Sequence, residues 1–246
     1  MKMDAIRIEN LTKKYKEVTA VDRLSLTVRE GELFSLLGVN GAGKTTAIKM
    51  LTCLTEPSGK EGDAYLLSKS IRKDAGEIKS FIAVSPQETA VAPGLSVREN
   101  LELMCGVHGF DKEKRLAKIS ELTDALNLYS VIDRKAGKLS GGWQRRLSIA
   151  MALISEPKIL FLDEPTLGLD VIARSDLWDI IRFLKGKVTI ILTTHYMEEA
   201  EALSDRIGIM KEGRLLICDT AENIKKTANT DSFEQAFIKI VKGAAK

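Results

Sequence analysis

The chain has 246 residues, enough for one substantial core with a subdomain and too few for two large independent domains. Hydrophobic residues at 44% and charged residues at 29% are ordinary globular proportions, which excludes disorder as the default. A net charge of +3 is small at this length, so the average surface implies neither a nucleic-acid nor a lipid partner.

The amino terminus, MKMDAIRIENLTKKYK, carries no apolar h-region, so no secretory signal is expected. No apolar run along the chain approaches the roughly 18 residues of a bilayer-spanning helix. Alternation of Ile6 and Ile8 with polar neighbours predicts a first strand, and Leu24, Leu26 and Val28 predict a second. A turn at Glu30-Gly31 then leads into ELFSLLG, whose nearly continuous apolar character suits a strand covered on both faces.

That strand runs into GVNGAGKT at 38–45, which fits G-x-x-x-x-G-K-[ST] and precedes the helical AIKMLTCL. Glycines 38, 41 and 43 let the backbone turn tightly and aim its N–H groups inward, and the helix amino terminus adds potential favourable to phosphate. The residues expected to contact a nucleotide are Gly38, Asn40, Gly41, Ala42, Gly43, Lys44, Thr45 and Thr46. Lys44 is expected on the β- and γ-phosphates, and the Thr45 hydroxyl on Mg²⁺.

A mostly helical stretch follows, roughly 90–156. LSVRENLELM opens with Ser96 and, three residues on, Glu99, a capping-box signature. In DKEKRLAKISELTDALNL, Leu116, Ile119, Leu122 and Leu126 are expected on one buried face. A further helix is expected from Gly141-Gly142 to Ser155, closed by Glu156-Pro157. Two more buried-strand runs come next. KILFLDEP brings Asp163, suited to holding Mg²⁺ through a water, and Glu164, placed to act as general base on an attacking water. VTIILTTH ends at His195. The tail SFEQAFIKIVKGAAK is expected to form one closing helix. Cys53, Cys105 and Cys218 lack metal or CxxC spacing and are expected as buried thiols in a reducing compartment.

The order of these motifs is specific. A P-loop, Gln87 in FIAVSPQE, LSGG at 139–142, LFLDEPTLGLD and the histidine of TTH together resemble the nucleotide-binding subunit of an ATP-binding cassette (ABC) protein, over about Tyr15 to Asp219. GLSVRENLELMCGVHG and IGIMKEGRLLICDTAENIKK are most similar to separate ATPase subunits of drug- and polymer-exporting transporters.

The resemblance implies one cassette over 1–246. Its nucleotide-binding α/β core would comprise 1–89 and 157–222, with an antiparallel amino-terminal β part. Residues 90–156 would be an inserted helical signature subdomain, and 223–246 a carboxy-terminal helix. It implies Tyr15 on adenine, Gln87 on Mg²⁺ and the attacking water, and His195 on the γ-phosphate. Ser140, Gly141, Gly142 and Asp170 are implied to act in trans, on ATP held by a second cassette. A separate membrane permease is the implied partner, nucleic acid is not expected, and the implied location is the cytoplasmic face of a membrane. One residue departs from the family pattern: Trp143 stands where glutamine is usual. His108 is expected to be an ordinary surface histidine. The competing expectation, a soluble ABC ATPase acting on nucleic acid or the ribosome, lacks the long coiled-coil arm or second cassette typical of such proteins.

Overall fold

The structure is a computed structural model that describes residues 3–243. Its strands and helices are numbered in chain order. β1 (Asp4–Tyr15) and β2 (Val18–Arg29) form a long antiparallel hairpin, followed by β3 (Leu33–Leu37) and α1 (Lys44–Leu51). β4 (Asp63–Leu66) and the short β5 (Lys69–Ser70) precede α2 (Ala75–Phe81) and β6 (Ile82–Ser85). Three helices then leave the sheet: α3 (Val97–Val107), α4 (Lys112–Ala125) and α5 (Gly141–Leu153). The chain returns through β7 (Ile159–Asp163), α6 (Val171–Leu184), β8 (Thr189–Thr194), α7 (Met197–Leu203), β9 (Arg206–Lys211) and β10 (Arg214–Asp219). It closes with α8 (Ala221–Thr227) and α9 (Phe233–Gly243).

Two sheets result, in the orders β2-β1-β4-β5 and β10-β9-β3-β8-β7-β6. The first is antiparallel; the second is parallel except for β10. The parallel strands are covered on both faces, and their side chains divide with the two-residue period of a strand. Leu160 and Leu162 of β7 enter the core beneath α3–α6, while Ile159 and Phe161 enter the core shared with α1 and the antiparallel sheet. Each of these buried side chains contributes about 1.5–3 kcal/mol of apolar transfer. A third cluster seats α8 and α9 against β9 through Ile207, Ile224, Phe233 and Phe237.

The α3 capping box forms as expected: Ser96 Oγ accepts from Glu99 N at 3.2 Å, and Glu99 Oε2 accepts from Ser96 N at 2.6 Å. On α4, Ile119 and Leu122 are buried, as is Leu126 at its end, but Leu116 is 54% exposed. At 100° per residue Leu116 lies about 80° from the line through Leu126, and the neighbouring elements do not wrap that far round.

Helix α5 stops at Leu153, short of Ser155, and Glu156 takes φ 52° before Pro157. The segment 223–246, expected as one helix, is two. Asn229 at φ 50° reverses the chain between α8 and α9, with Thr230 N donating to Lys225 O, and residues 244–246 lie outside the described region. Only Cys105 is fully buried; Cys53 and Cys218 are half-buried. His108 is exposed at the end of α3.

Candidate functional site

Parallel pairing decides which loops meet. β3 lies between β8 and β9, and β8 between β3 and β7, with Leu37 opposite Thr194 and Thr193 opposite Asp163. The carboxyl ends of β3, β7 and β8 are therefore adjacent, the usual ligand edge of an open α/β sheet. Loops from distant parts of the sequence open there onto one cavity of about 660 Å³. It is lined by Asn40–Thr46, Gln87, Glu164 and His195, with Val18–Ala20, Leu167 and Glu212 at its margins.

The loop before α1 is shaped by its glycines. Gly43 caps α1 at φ 102°, and a Cβ there would stand 2.3 Å from Ala20 O. A Cβ on Gly38 would meet Met210 O at 2.5 Å. Gly41, at φ 82°, needs only its conformational freedom, because nothing lies within 4 Å of its missing Cβ.

Lys44 is buried at the start of α1. Its ammonium donates to Gly38 O at 2.7 Å and pairs with Glu164 Oε1 at 3.2 Å. The other carboxylate oxygen, Glu164 Oε2, is 2.6 Å from His195 Nδ1. Glu164 thus bridges a lysine and a histidine brought by different strands. Burial of this pair strengthens the interaction and makes it costly to break by removing one partner.

The backbone of Glu164 is unusual, at φ 49°. Its N–H is secured by Thr193, through the carbonyl at 3.1 Å and the hydroxyl at 3.0 Å. Such strained backbone persists only where the surroundings over-determine it. The Thr193 hydroxyl also donates to Asp163 Oδ1 at 2.5 Å, and Thr45 Oγ1 donates to the same oxygen at 3.1 Å. A buried carboxylate facing a hydroxyl at a helix amino terminus is an oxygen donor set suited to a hard divalent cation.

The remaining expected residues fall elsewhere. Tyr15 ends β1, half-exposed, with Lys13 Nζ 5.0 Å from its ring centre; its hairpin partner Val18 lines the cavity and Tyr15 does not. Ser140 and Gly141 are exposed at the start of α5, outside that cavity, and the Ser140 side chain makes no capping bond. Gly142 allows close approach to α6, since a Cβ there would be 2.9 Å from Ala173 Cβ. Trp143 is half-buried against the helical core, with the Arg146 guanidinium 4.4 Å over its ring. Asp170 caps α6, accepting from Ala173 N at 2.9 Å.

Three contributors went unread in the sequence. Thr193 was hidden inside an apolar strand. Arg145 is buried behind Gln87, donating to the carbonyls of Pro86 and Gln87. Glu199 of α7 is 0% exposed and accepts from Trp178 Nε1 at 3.0 Å; burial pushes its carboxyl above the usual glutamate range. Helical spacing could have flagged Glu199, because Ala200 and Leu203 share its buried side of α7.

Fold and site together define a nucleoside-triphosphate-binding α/β protein of the P-loop class. Residues 21–167 match the ABC transporter family model. The "Daunorubicin resistance ATP-binding protein DrrA2" of Streptomyces coeruleorubidus is 38% identical over 94% of this chain and 71% of its own length. The "Probable multidrug ABC transporter ATP-binding protein YbhF" of Escherichia coli is 36% identical over 96% of this chain, which spans 41% of that relative. A solved structure, the ATP-binding cassette MJ0796 as a dimer in a post-hydrolysis state bound to ADP and Pi, superposes with TM-score 0.77. It is 27% identical over 87% of this chain and 98% of the other. The chain belongs to the ABC transporter family, as an ATP-binding cassette. Among the described residues no helix is long and apolar enough to cross a membrane.

Proposed function

We propose that this cassette hydrolyses ATP at a seam between two cassettes, and that the closing and opening of that seam drives a separate membrane permease. The observation that carries the reading is the position of the serine–glycine turn. Ser140 and Gly141 head α5, exposed and with the Ser140 hydroxyl making no capping bond, yet they lie outside the chain's own cavity. Such a turn is built to hold an anion, and a second cassette packed head to tail would bring one to it. The dimeric, ADP- and Pi-bound state of MJ0796 supports the same arrangement. On this reading Asp170 lies at the seam, and Val18 and Tyr15 flank the nucleotide base.

Within one cavity, Lys44 and the N–H groups of Asn40–Thr46 bind the phosphates, and His195 approaches the terminal one. Glu164 exchanges its pairing with Lys44 for an attacking water, which it orients and deprotonates. Thr45, Asp163 and Gln87 are the residues that would hold Mg²⁺, whose charge would offset that of the phosphate oxygens. Residues 90–156, as a helical subdomain carrying the signature turn, and Gln87 at its root would face the permease. The names of DrrA2 and YbhF favour drug export as the work done and the cytoplasmic face of a membrane as its place.

Replacing Glu164 with glutamine tests the reading. E164Q retains ATP binding, loses hydrolysis by on the order of 10²–10⁴-fold, and accumulates as an ATP-bound dimer in gel filtration. Hydrolysis at the wild-type rate with no gain of dimer would remove Glu164 from the role of base.

A further inference from the structure

Residues 86–91 connect β6 to the turn before α3 and carry Gln87 into the cavity. Among the described residues, none of them takes part in a backbone–backbone hydrogen bond outside the regular elements. Val91 packs on the helical core and Asn100 holds the adjoining Ala92, but the backbone around Gln87 is bonded by one side chain. Arg145, on the second turn of α5, is 5% exposed. Its two terminal nitrogens donate to consecutive carbonyls, Nη1 to Pro86 O and Nη2 to Gln87 O, each at 2.5 Å. One residue further along the same interface, Ser85 and Ser148 share a buried hydroxyl–hydroxyl bond of 2.9 Å.

A buried guanidinium held mainly by neutral carbonyls is costly. Burial disfavours its charged form, and the through-space attraction of Asp163 offsets that only in part. A packed apolar side chain would serve stability as well. The bidentate geometry serves something else: two donors in a rigid plane fix the direction of two successive carbonyls, and hence the plane of the peptide beyond Gln87 Cα.

We propose that Arg145 is a positioning residue: it locks the backbone of Gln87 to the helix headed by Ser140–Gly142, so that the signature turn and Gln87 move as one body. Engagement of the turn by a second cassette's nucleotide then sets the Gln87 side chain over the chain's own cavity. Each site thereby senses whether the other is filled. The inference rests on the proposed ATP hydrolysis, and its test separates the two.

Arg145→Met and Arg145→Lys are each made in the full chain and in a Gln87→Ala background. Steady-state ATP hydrolysis is measured together with cleavage after Glu88 by a glutamate-specific protease in nucleotide-free protein. Misplacement of a positioned group costs about 10–100-fold in kcat. Both substitutions are therefore expected to lower kcat by that factor with KM for ATP within about threefold. In the Gln87→Ala background the same substitution is expected to cost less than about threefold, because the group being positioned is gone. Cleavage after Glu88 is expected to accelerate at least about fivefold as the loop opens more often.

Equal loss of kcat in both backgrounds, an unchanged kcat, or an unchanged rate of cleavage after Glu88 would each overturn the proposal. Arg145→Lys keeps the buried charge but replaces the rigid planar fork with a single nitrogen on a flexible stem, and it decides the matter if Arg145→Met does not fold. If the wild-type chain hydrolyses no ATP, the functional reading fails, and the protease measurement alone decides whether Arg145 holds the loop.

Discussion

Replacing Gly43 with alanine probes the junction on which the phosphate cradle depends. Three segments meet there: the P-loop, the start of β2 at Ala20, and the β9–β10 turn, whose Gly213 N donates to Ala42 O at 3.1 Å. Two costs follow. The backbone at φ 102° lies in the left-handed half of conformational space, where a Cβ costs roughly 1–2 kcal/mol. The new methyl would also start 2.3 Å from Ala20 O, a backbone atom within a strand, and overpacking of that kind costs about 1–3 kcal/mol. The sum is about 2–5 kcal/mol. At this chain length each kcal/mol lowers Tm by about 2–4 °C. Gly41→Ala is the control, since its φ of 82° carries the first cost while nothing within 4 Å imposes the second. Calorimetry and equilibrium ATP binding on both variants are expected to show Gly43→Ala the worse by about 1–3 kcal/mol, with the greater loss of affinity. Melting temperatures within 2 °C of one another, by the same ~2–4 °C per kcal/mol, would refute the steric argument for Gly43.

Further outcomes can be checked independently. Ser140→Arg is expected to abolish hydrolysis while nucleotide affinity of the monomer, followed by fluorescent-analogue titration, stays within about twofold; equal loss of both would mean that the turn serves its own nucleotide. Ser96→Ala removes the α3 capping box and is expected to cost about 1 kcal/mol in urea titration. For Glu199, whose folded carboxyl titrates above its ordinary value of 4.5, the folded state keeps a proton that the unfolded chain gives up. Stability from this group is complete below pH 4.5 and falls as pH rises toward the folded value. Glu199→Gln is accordingly expected to flatten the decline in stability above that pH in denaturant titrations; an unchanged slope would mean that the group is ionised in the folded protein.

Much of the site was legible because its parts are local. Gly38 to Thr46 form one continuous loop, whose glycine spacing and following helix are properties of nine consecutive residues. Asp163, Glu164 and His195 each follow an apolar run that reads as a buried strand, and the sheet edge is where such residues collect. The capping box of α3 needs only Ser96 and Glu99. Resemblance to a family added the proposed roles of Gln87, Ser140 and Asp170, which no local pattern distinguishes from a loop residue, a turn and a helix cap. It added Tyr15 as well, which the hairpin pairs with the cavity-lining Val18.

By itself the sequence determined β1 to β3, β7, β8 and the helices α1, α3 and α4, because backbone preference and the periods of 2 and 3.6 act over neighbouring positions, while the end of α5 and the break at Asn229 were not read from it. It could not say that β3 would sit between β8 and β9, and so could not bring Lys44 to 3.2 Å from Glu164, 120 positions away. Parallel strands are joined through long crossovers, and their order depends on which faces can be buried together. The same dependence left Leu116 outside the core and Glu199 within it, and folded Arg145 behind Gln87. Each of those outcomes depends on what a distant part of the chain places alongside, and only the assembled structure decides that.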